Sequence, residues 1–451
     1  MTDRQIIAAT RFGYGLPLPA GAPVEAGAML SLLAGPDTAA VQWPGVHLDE
    51  AILLFGASYE ARLARRTDDA ARIDFRRALE QVNRQAAAGQ AAIFARALGA
   101  PDGFRERLVQ FWADHFTTVP KLYDHKGVVL SLAEDAVRPH VAGRFAEMLK
   151  AATLHPAMLL FLDQQVSVGP NSRRAKDGKR GLNENLGREL LELHTLGVGA
   201  GYSQEDVRQM AELLTGLIVK PREGQGFNPK AAEPGPETVL GQVYEGKGVE
   251  PILRALEDLA VRPETGRHLA RKLAVHFVAD DPPEELVVAM AQAYAETGGS
   301  LLAVYGALLN HPLAWEGPLT KLRQPFDFLV AGLRGLGVAA DTLVGMKPKA
   351  FERLLLEPMA AMGQPMNRAG GPDGWPEEAE AWITPQRLAA RITWAMQVPS
   401  RLVKPLPEPL VLAQGALGGR LGERLELALG GAESRRDAVG LVLSSPEFNR
   451  R

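Results

Sequence analysis

The sequence predicts a mainly α-helical protein: a large multi-helix, bundle-like body with long Gly/Pro-rich loops and at most a short β element. Three observations carry that prediction. Apolar residues recur at helical rather than strand spacing through most of the 451 residues. Strand-like alternation is confined to one short stretch, "ETVLGQVYEG" (237–246). The Gly and Pro residues gather in three long loops, 169–181, 220–236 and 363–376, which separate the helical tracts.

Taken in chain order, 58–98 is rich in Ala, Leu, Arg and Glu, lacks Pro and has Gly89 as its only glycine. It reads as one long helix or two abutting ones. "PDGFRERLVQFWADHF" (101–116) follows, with Pro101 and Asp102 as start signals. Further helices are expected near 128–150, 183–196, 203–219, 249–260, 263–279, 284–297 and 299–310. Others are expected near 323–335, 385–397, 419–429 and 434–443. This divides the chain into an N-terminal helical region (1–220), a loop or linker (221–248) and a C-terminal helical region (249–451). Length alone allows two or three domains, or one large helical body.

Composition excludes several function classes. A formal net charge of -3 lacks the basic excess of a dedicated nucleic-acid binder. With no cysteine, disulfides, thiolate metal sites, iron–sulfur clusters and a cysteine nucleophile are all ruled out. No apolar run is long enough for a membrane span. "MTDRQIIAATRFGYGLPLPA" lacks the features of a secretory signal. A cytoplasmic location is therefore expected, with export left open.

The densest polar chemistry lies in "NENLGRELLELHTLGV" (183–198). On a helix of about 100° per residue, Leu186, Leu190 and Leu193 form the buried stripe, with Gly187, Leu191 and His194 beside it. Asn185, Arg188, Glu189 and Glu192 gather on the other side. Glu189 and Glu192 are three residues apart and can point at one spot, with Arg188 close by. Asn183 is the expected N-cap and Gly197 the stop. His194 points away from Glu192, which removes a His-Glu-x-x-His zinc motif. The face is either a solvated ion lattice or a polar cluster between helices, where Glu189 and Glu192 would act as acid–base groups or hold a divalent metal. On the second reading Arg188 orients them and His115 is the best histidine candidate. Asn183, Asn185, Arg173, Arg174 and Trp375 are then the substrate-binding candidates. Arg173 and Arg174 come from the loop 169–181, which holds five basic residues and one acid.

Most other histidines have plainer explanations. His115 falls on the apolar side of its helix with Leu108, Phe111 and Trp112. His155 and His311 each precede a proline and mark helix boundaries. His268 and Lys272 share a helical face with His276 at its border, where structural use is the simpler reading. Gly-x-Ser-x-Gly, a phosphate-binding loop and a dinucleotide fingerprint are all absent. Trp375 and Trp382 flank a Pro-rich turn, where packing onto the loop is the default and ligand stacking the minority reading.

Several segments together resemble a bacterial family catalogued as domain of unknown function 1800. They are "RFGYG" (11–15), "FWADHFTT" (111–118), "HPAMLLFLD" (155–163), "GPNS" (169–172), and the long "GLNENLGRELLELHTLGVGAGYSQEDVRQMAELLTG" (181–216). "LARKLAVHFVADDPP" (269–283), "MGQP" with "GPDGWP" (362–376) and "SPEF" (445–448) complete the set. Because these run through nearly the whole chain, the resemblance implies one continuous family domain. It transfers no catalytic residue. It does imply a partner, since relatives are often encoded beside a second family, domain of unknown function 1501, which looks similar to sulfatases. Relatives are also expected to carry His before "EPGP", where this chain has Ala232, which puts any metal ligand at that position in doubt here. Two functions are thus in play: a hydrolytic or metal-assisted enzyme with its site beside 183–196, or a non-catalytic helical partner or maturation factor for the sulfatase-like protein.

Overall fold

A computed structural model describes residues 2–65, 70–177 and 181–451. The fold is mainly α, as the periodicity predicts, with β structure limited among the described residues to two small antiparallel hairpins. One apolar core runs from Ala8 near the start to Phe448 near the end, taking in Trp112, Leu190, Phe277 and Phe328. Among the described residues, no helix is long and apolar enough to cross a membrane.

Several boundaries depart from the sequence expectation for identifiable reasons. The tract 58–98 contributes to two helices, Leu48–Ala64 and Ala70–Gly99, which pack along one another, and its residues 66–69 lie outside the described residues. Gly89 does not break the second helix: a Cβ there would meet Val46 Cγ2 at 2.5 Å, so the glycine serves a close approach. The expected helix 128–150 is instead Lys126–Leu132, a π turn Ala133–Val137, a 3-10 turn Arg138–His140 and a new helix Phe145–Leu154. Pro139 lies within that interruption and cannot donate to a helical ladder. The expected helix 203–219 stops at Leu213. Gly216 then adopts φ +93°, and β-branched Ile218 and Val219 join the strand Leu217–Lys220, which pairs with Gly224–Phe227. That hairpin occupies part of the loop expected over 220–236. The foreseen β element becomes the hairpin Glu237–Val239 with Gln242–Tyr244, turning through Leu240 and Gly241, both at positive φ.

His155 and His311 are helix caps, each accepting through Nδ1 from a backbone N–H two residues on.

Buried arginines hold the helices in register. Helix C-termini leave carbonyls without intrahelical donors, and arginines supply them. Arg105 donates to Leu32, Leu33 and Gly35 at the end of helix Ala26–Ala34. Arg334 reaches Ala97 and Leu98 at the end of Ala70–Gly99. Arg96 and Arg138 share Glu134, which lies in the π turn. Arg96 Nη1 is 3.0 Å from Glu134 Oε2, and Arg138 also grips Glu106 through two bonds of 2.8 and 2.9 Å.

Arg96 is only 1% exposed, and Glu134 is its nearest carboxylate, with Glu106 farther off at 3.8 Å. Glu134→Ala should therefore cost about 3–5 kcal/mol in urea unfolding. The double change Arg96→Met with Glu134→Leu, which removes both charges, should cost clearly less.

Candidate functional site

The helix Gly103–His115 opens on Asp102, whose side chain accepts from Arg105 N–H. Its positions 107, 110, 111 and 114 recur at helical spacing and line one cavity of about 130 Å³. The helix Pro263–Phe277 brings His276 to the same cavity. The loop after Met362 brings Asn367, Trp375 and Glu377. Tyr14, Phe326 and Asp327 complete the parts used here.

Arg107 is the hub of this cavity. It donates to Gly13 O at 3.3 Å, to Asp327 Oδ2 at 3.0 Å and to His276 Nε2 at 3.0 Å. An arginine only donates, so His276 Nε2 is the accepting nitrogen and Nδ1 carries the proton. That Nδ1–H donates to Glu377 Oε1 at 2.6 Å. Burial pushes the His276 pKa down to about 4, although Glu377 opposes the shift, and the ring is neutral. Burial pushes Glu377 upward, but His276, Lys321 and Arg451 outweigh it and hold the carboxyl well below its ordinary range. Lys321 Nζ stands 3.0 Å from Glu377 Oε2 and 2.7 Å from Asp280 Oδ1.

Asp114 is the opposite case. Burial raises its pKa to about 7, with Glu377 adding to the rise, while Trp375 N–H, Lys272 and Thr117 moderate it. Trp375 N–H lies 3.1 Å from both carboxyl oxygens. The preceding Gly374, at φ +85°, makes this approach possible: a Cβ would sit 2.7 Å from Asp114 Oδ2. The cavity thus holds three carboxyl groups, and their surroundings raise the pKa of Asp114 while lowering those of Asp327 and Glu377.

Behind Asp114 lies a group of neutral histidines. Lys272 Nζ donates to His115 Nδ1 at 3.1 Å, which leaves His115 Nε2–H to donate to His194 O at 3.2 Å. His268 Nε2–H donates to Leu193 O at 3.0 Å. Burial holds His115 well below the ordinary histidine range, His194 at about 3 and His268 at about 4. Burial also lowers the Lys272 pKa, while Asp114, Glu377 and Asp373 push it back up.

The stretch 183–198 has a different geometry from an ideal helix. Only Asn185–Glu189 is α-helical, and Leu190–His194 is a π turn. The wider turn buries Leu191 and His194 with Leu186 and Leu190, and leaves Leu193 half-buried. Glu184 is the N-cap residue, and Asn183 Oδ1 accepts from Asn185 N–H at 2.9 Å. Asn183 Nδ2 donates to Leu162 O, while Asn185 is exposed. Arg188 pairs with Glu192 at 3.3 Å and Glu184 at 3.1 Å, and no ion pair joins it to Glu189. All three of these charged side chains are partly open to solvent. Burial raises the pKa of Glu189, helped by Glu192 and by Asp373 of the 363–376 loop.

Of the residues singled out from the sequence, Trp375 lines the cavity and His115 lies beneath it with both ring nitrogens engaged. Arg188, Glu189 and Glu192 form a neighbouring half-exposed face. Arg174 N–H donates to Lys230 O and Arg173 is exposed, both away from that cavity. Residues 178–180 of the basic loop lie outside the described residues. Asp114, Glu377 and Arg107 are not among the sequence candidates, and His276 enters there only as a structural residue. For the second helix a signal existed, because His268, Lys272 and His276 recur every four residues. Among the described residues, no group of three or more His, Asp or Glu side chains is placed to hold a metal ion.

Several of the segments carrying the family resemblance converge on this cavity, although the long 181–216 stretch does not line it. "RFGYG" supplies Tyr14, "FWADHFTT" supplies Phe111, Asp114, Thr117 and Thr118, and "LARKLAVHFVADDPP" supplies His276. "MGQP" supplies Gln364 and "GPDGWP" supplies Trp375. Comparison with curated proteins and with solved structures gives no match. The family model described as "Protein of unknown function (DUF1800)" matches residues 10–450. With nearly its whole length matched, the chain belongs to the DUF1800 family.

Proposed function

We propose that the protein is a hydrolytic enzyme working by acid–base chemistry in the cavity between Asp114 and Glu377. The observation that carries the reading is the divergence of two carboxyl groups on one cavity. Asp114 is poised to hold a proton near neutral pH and Glu377 is held ionised. Asp114 is then the group that protonates a leaving oxygen or nitrogen, and the water that takes the leaving group's place returns its proton to the Asp114 carboxylate. Glu377 stays negative and fixes the His276 tautomer through Nδ1–H, while Arg107 holds the other ring nitrogen. Trp375 offers an aromatic wall beside the acid. Arg188, Glu189 and Glu192 would contribute from behind the 363–376 loop, since Glu189 senses Asp373.

The acid role has a stability signature. The folded state keeps a proton on Asp114 up to about pH 7, while an unfolded chain releases it near 3.8. Between those values the native state binds more protons, so this site's contribution to stability falls as pH rises. Asp114→Asn keeps an acceptor for Trp375 N–H and removes the titration. At pH 8 it should be more stable than wild type by about 1–3 kcal/mol, with a smaller difference at pH 4. Urea unfolding at the two pH values checks this; a less stable variant at pH 8 would contradict it.

Activity provides the second test. Wild type, Asp114→Asn and Glu377→Gln are screened on p-nitrophenyl glycosides, carboxylic esters, phosphates and sulfates. Both variants should lose about 100-fold or more in turnover of whichever class is cleaved, while keeping the wild-type circular dichroism. Equal turnover in all three would sink the proposal. Cleavage that appears only when the sulfatase-like protein is present, and is indifferent to both substitutions, would favour the maturation-factor reading.

A further inference from the structure

We infer that the cavity continues into a second cleft, and that Asn367 at their junction binds a hydroxylated organic anion whose charged end lies against Lys126 and Arg368. The two spaces share Leu130, Met366 and Asn367 as lining residues. The second is the larger, at about 420 Å³, against about 130 Å³ for the cavity. A ligand whose reacting part sits at Asp114 therefore has room to extend past Asn367.

Asn367 carries two local costs at once. Its backbone lies at φ 54°, and its side-chain Oδ1 is buried without a hydrogen-bond partner. The first cost has an ordinary cause, since Arg368 N–H donates to Pro365 O and Asn367 takes the turn position that wants a left-handed residue. Glycine would meet that need with less strain. The turn does not explain the amide, which makes no hydrogen bond to any described residue. A buried carbonyl left unmatched costs about 1–3 kcal/mol. A ligand hydroxyl or amine passing between the two spaces would donate to it.

The second cleft has a charge preference. Lys126 and Arg368 both line it, with Glu352 the one carboxylate among the lining residues. Lys126 Nζ donates to the neutral Asn83 Oδ1 at 2.8 Å, so Glu352 alone among the lining residues offsets the two cations. Burial lowers the Lys126 pKa, and Arg368 lowers it further as a like charge, so the two cations feel one another. Arg368 is exposed and has no ion pair among the described residues. A phosphate, sulfate or carboxylate between them would relieve that repulsion. The remaining lining mixes apolar residues, Ala86, Phe351 and Leu356 among them, with the amides of Asn83 and Gln90, which suits a skeleton that carries hydroxyls.

The inference takes only the ligand's direction from the proposed reaction, so binding alone tests it and a failed activity screen leaves it standing. The probes are glucose 6-phosphate, glucuronate, glucose and inorganic phosphate, titrated into the full chain by calorimetry. At least one of the two sugar anions should bind about tenfold or more tightly than both glucose and inorganic phosphate. Arg368→Ala should weaken that sugar anion and inorganic phosphate alike. Asn367→Gly keeps the backbone conformation and removes the amide; it should weaken the sugar anion about tenfold and leave inorganic phosphate unchanged. Circular dichroism checks that both variants fold. Four results would each overturn the inference. These are glucose binding as tightly as either sugar anion, no loss on Arg368→Ala, no loss of the sugar anion on Asn367→Gly, and no sugar anion binding below about 10 mM.

Discussion

Arg107 is the contact on which the candidate site depends. Its guanidinium touches the chain just after the first helix at Gly13, the helix Pro325–Gly335 at Asp327 and the helix Pro263–Phe277 at His276. Three distant parts of the sequence are thereby fixed around one planar group with donors in set directions. Because Arg107 donates to His276, it decides which ring nitrogen keeps the proton, and so which one faces Glu377. Asp327 balances the charge and is also 3.2 Å from Arg451. The buried ion pair thus does more than offset its own desolvation: it sets the protonation pattern of the cavity.

The same logic explains why so many arginines lie inside a protein with near-neutral net charge. A body built from short helices has many C-terminal carbonyls to satisfy, and most are too deep for water. An arginine can serve several carbonyls from one side chain, as Arg105 and Arg334 do. Carboxylates complete the set: Arg138 is held by Glu106 and Glu134, while Arg96, Arg105 and Arg107 each combine a carboxylate with at least one carbonyl. Interruptions in the helices belong to this scheme, since the π turn Ala133–Val137 contains the carboxylate that Arg96 and Arg138 share.

Helical periodicity made the fold class and most helices legible, because the apolar spacing depends on burial and burial is general. It could not register a π turn, which keeps the same residue types and changes only the rotation after Leu190. That is why the wheel put Leu193 in the stripe and Leu191 on its flank. The hairpin at 217–227 escaped for a similar reason: its β-branched residues directly continue a helical pattern, and only Gly216 marks the change. The site was less legible than the fold. Arg107, Asp114, His276 and Glu377 come from three segments, and nothing local to any of them states that Arg107 will donate to His276. Asp114 lies on the side of its helix away from Leu108 and Trp112, and it is the backbone of the 363–376 loop, through Trp375 N–H, that covers it.

The stretch 183–198 is chemically crowded, yet its tie to the cavity runs through its backbone. A π turn ending at His194, like any helix end, leaves its last carbonyls without donors. His268 takes the carbonyl of Leu193 and His115 takes that of His194. His115, fixed in one tautomer by that bond, accepts from Lys272, and Lys272 in turn moderates the pKa of Asp114. Gly197 closes the turn against the His268 ring, where a Cβ would come within 2.9 Å of Nδ1. On the outer face, Glu184 and Glu192 are partly open to water and joined to Arg188. The inner carbonyls are buried and joined, through two histidines and a lysine, to the acid of the cavity. A segment can therefore be demanding in sequence because its backbone must end at one place and angle, whatever its charged side chains do.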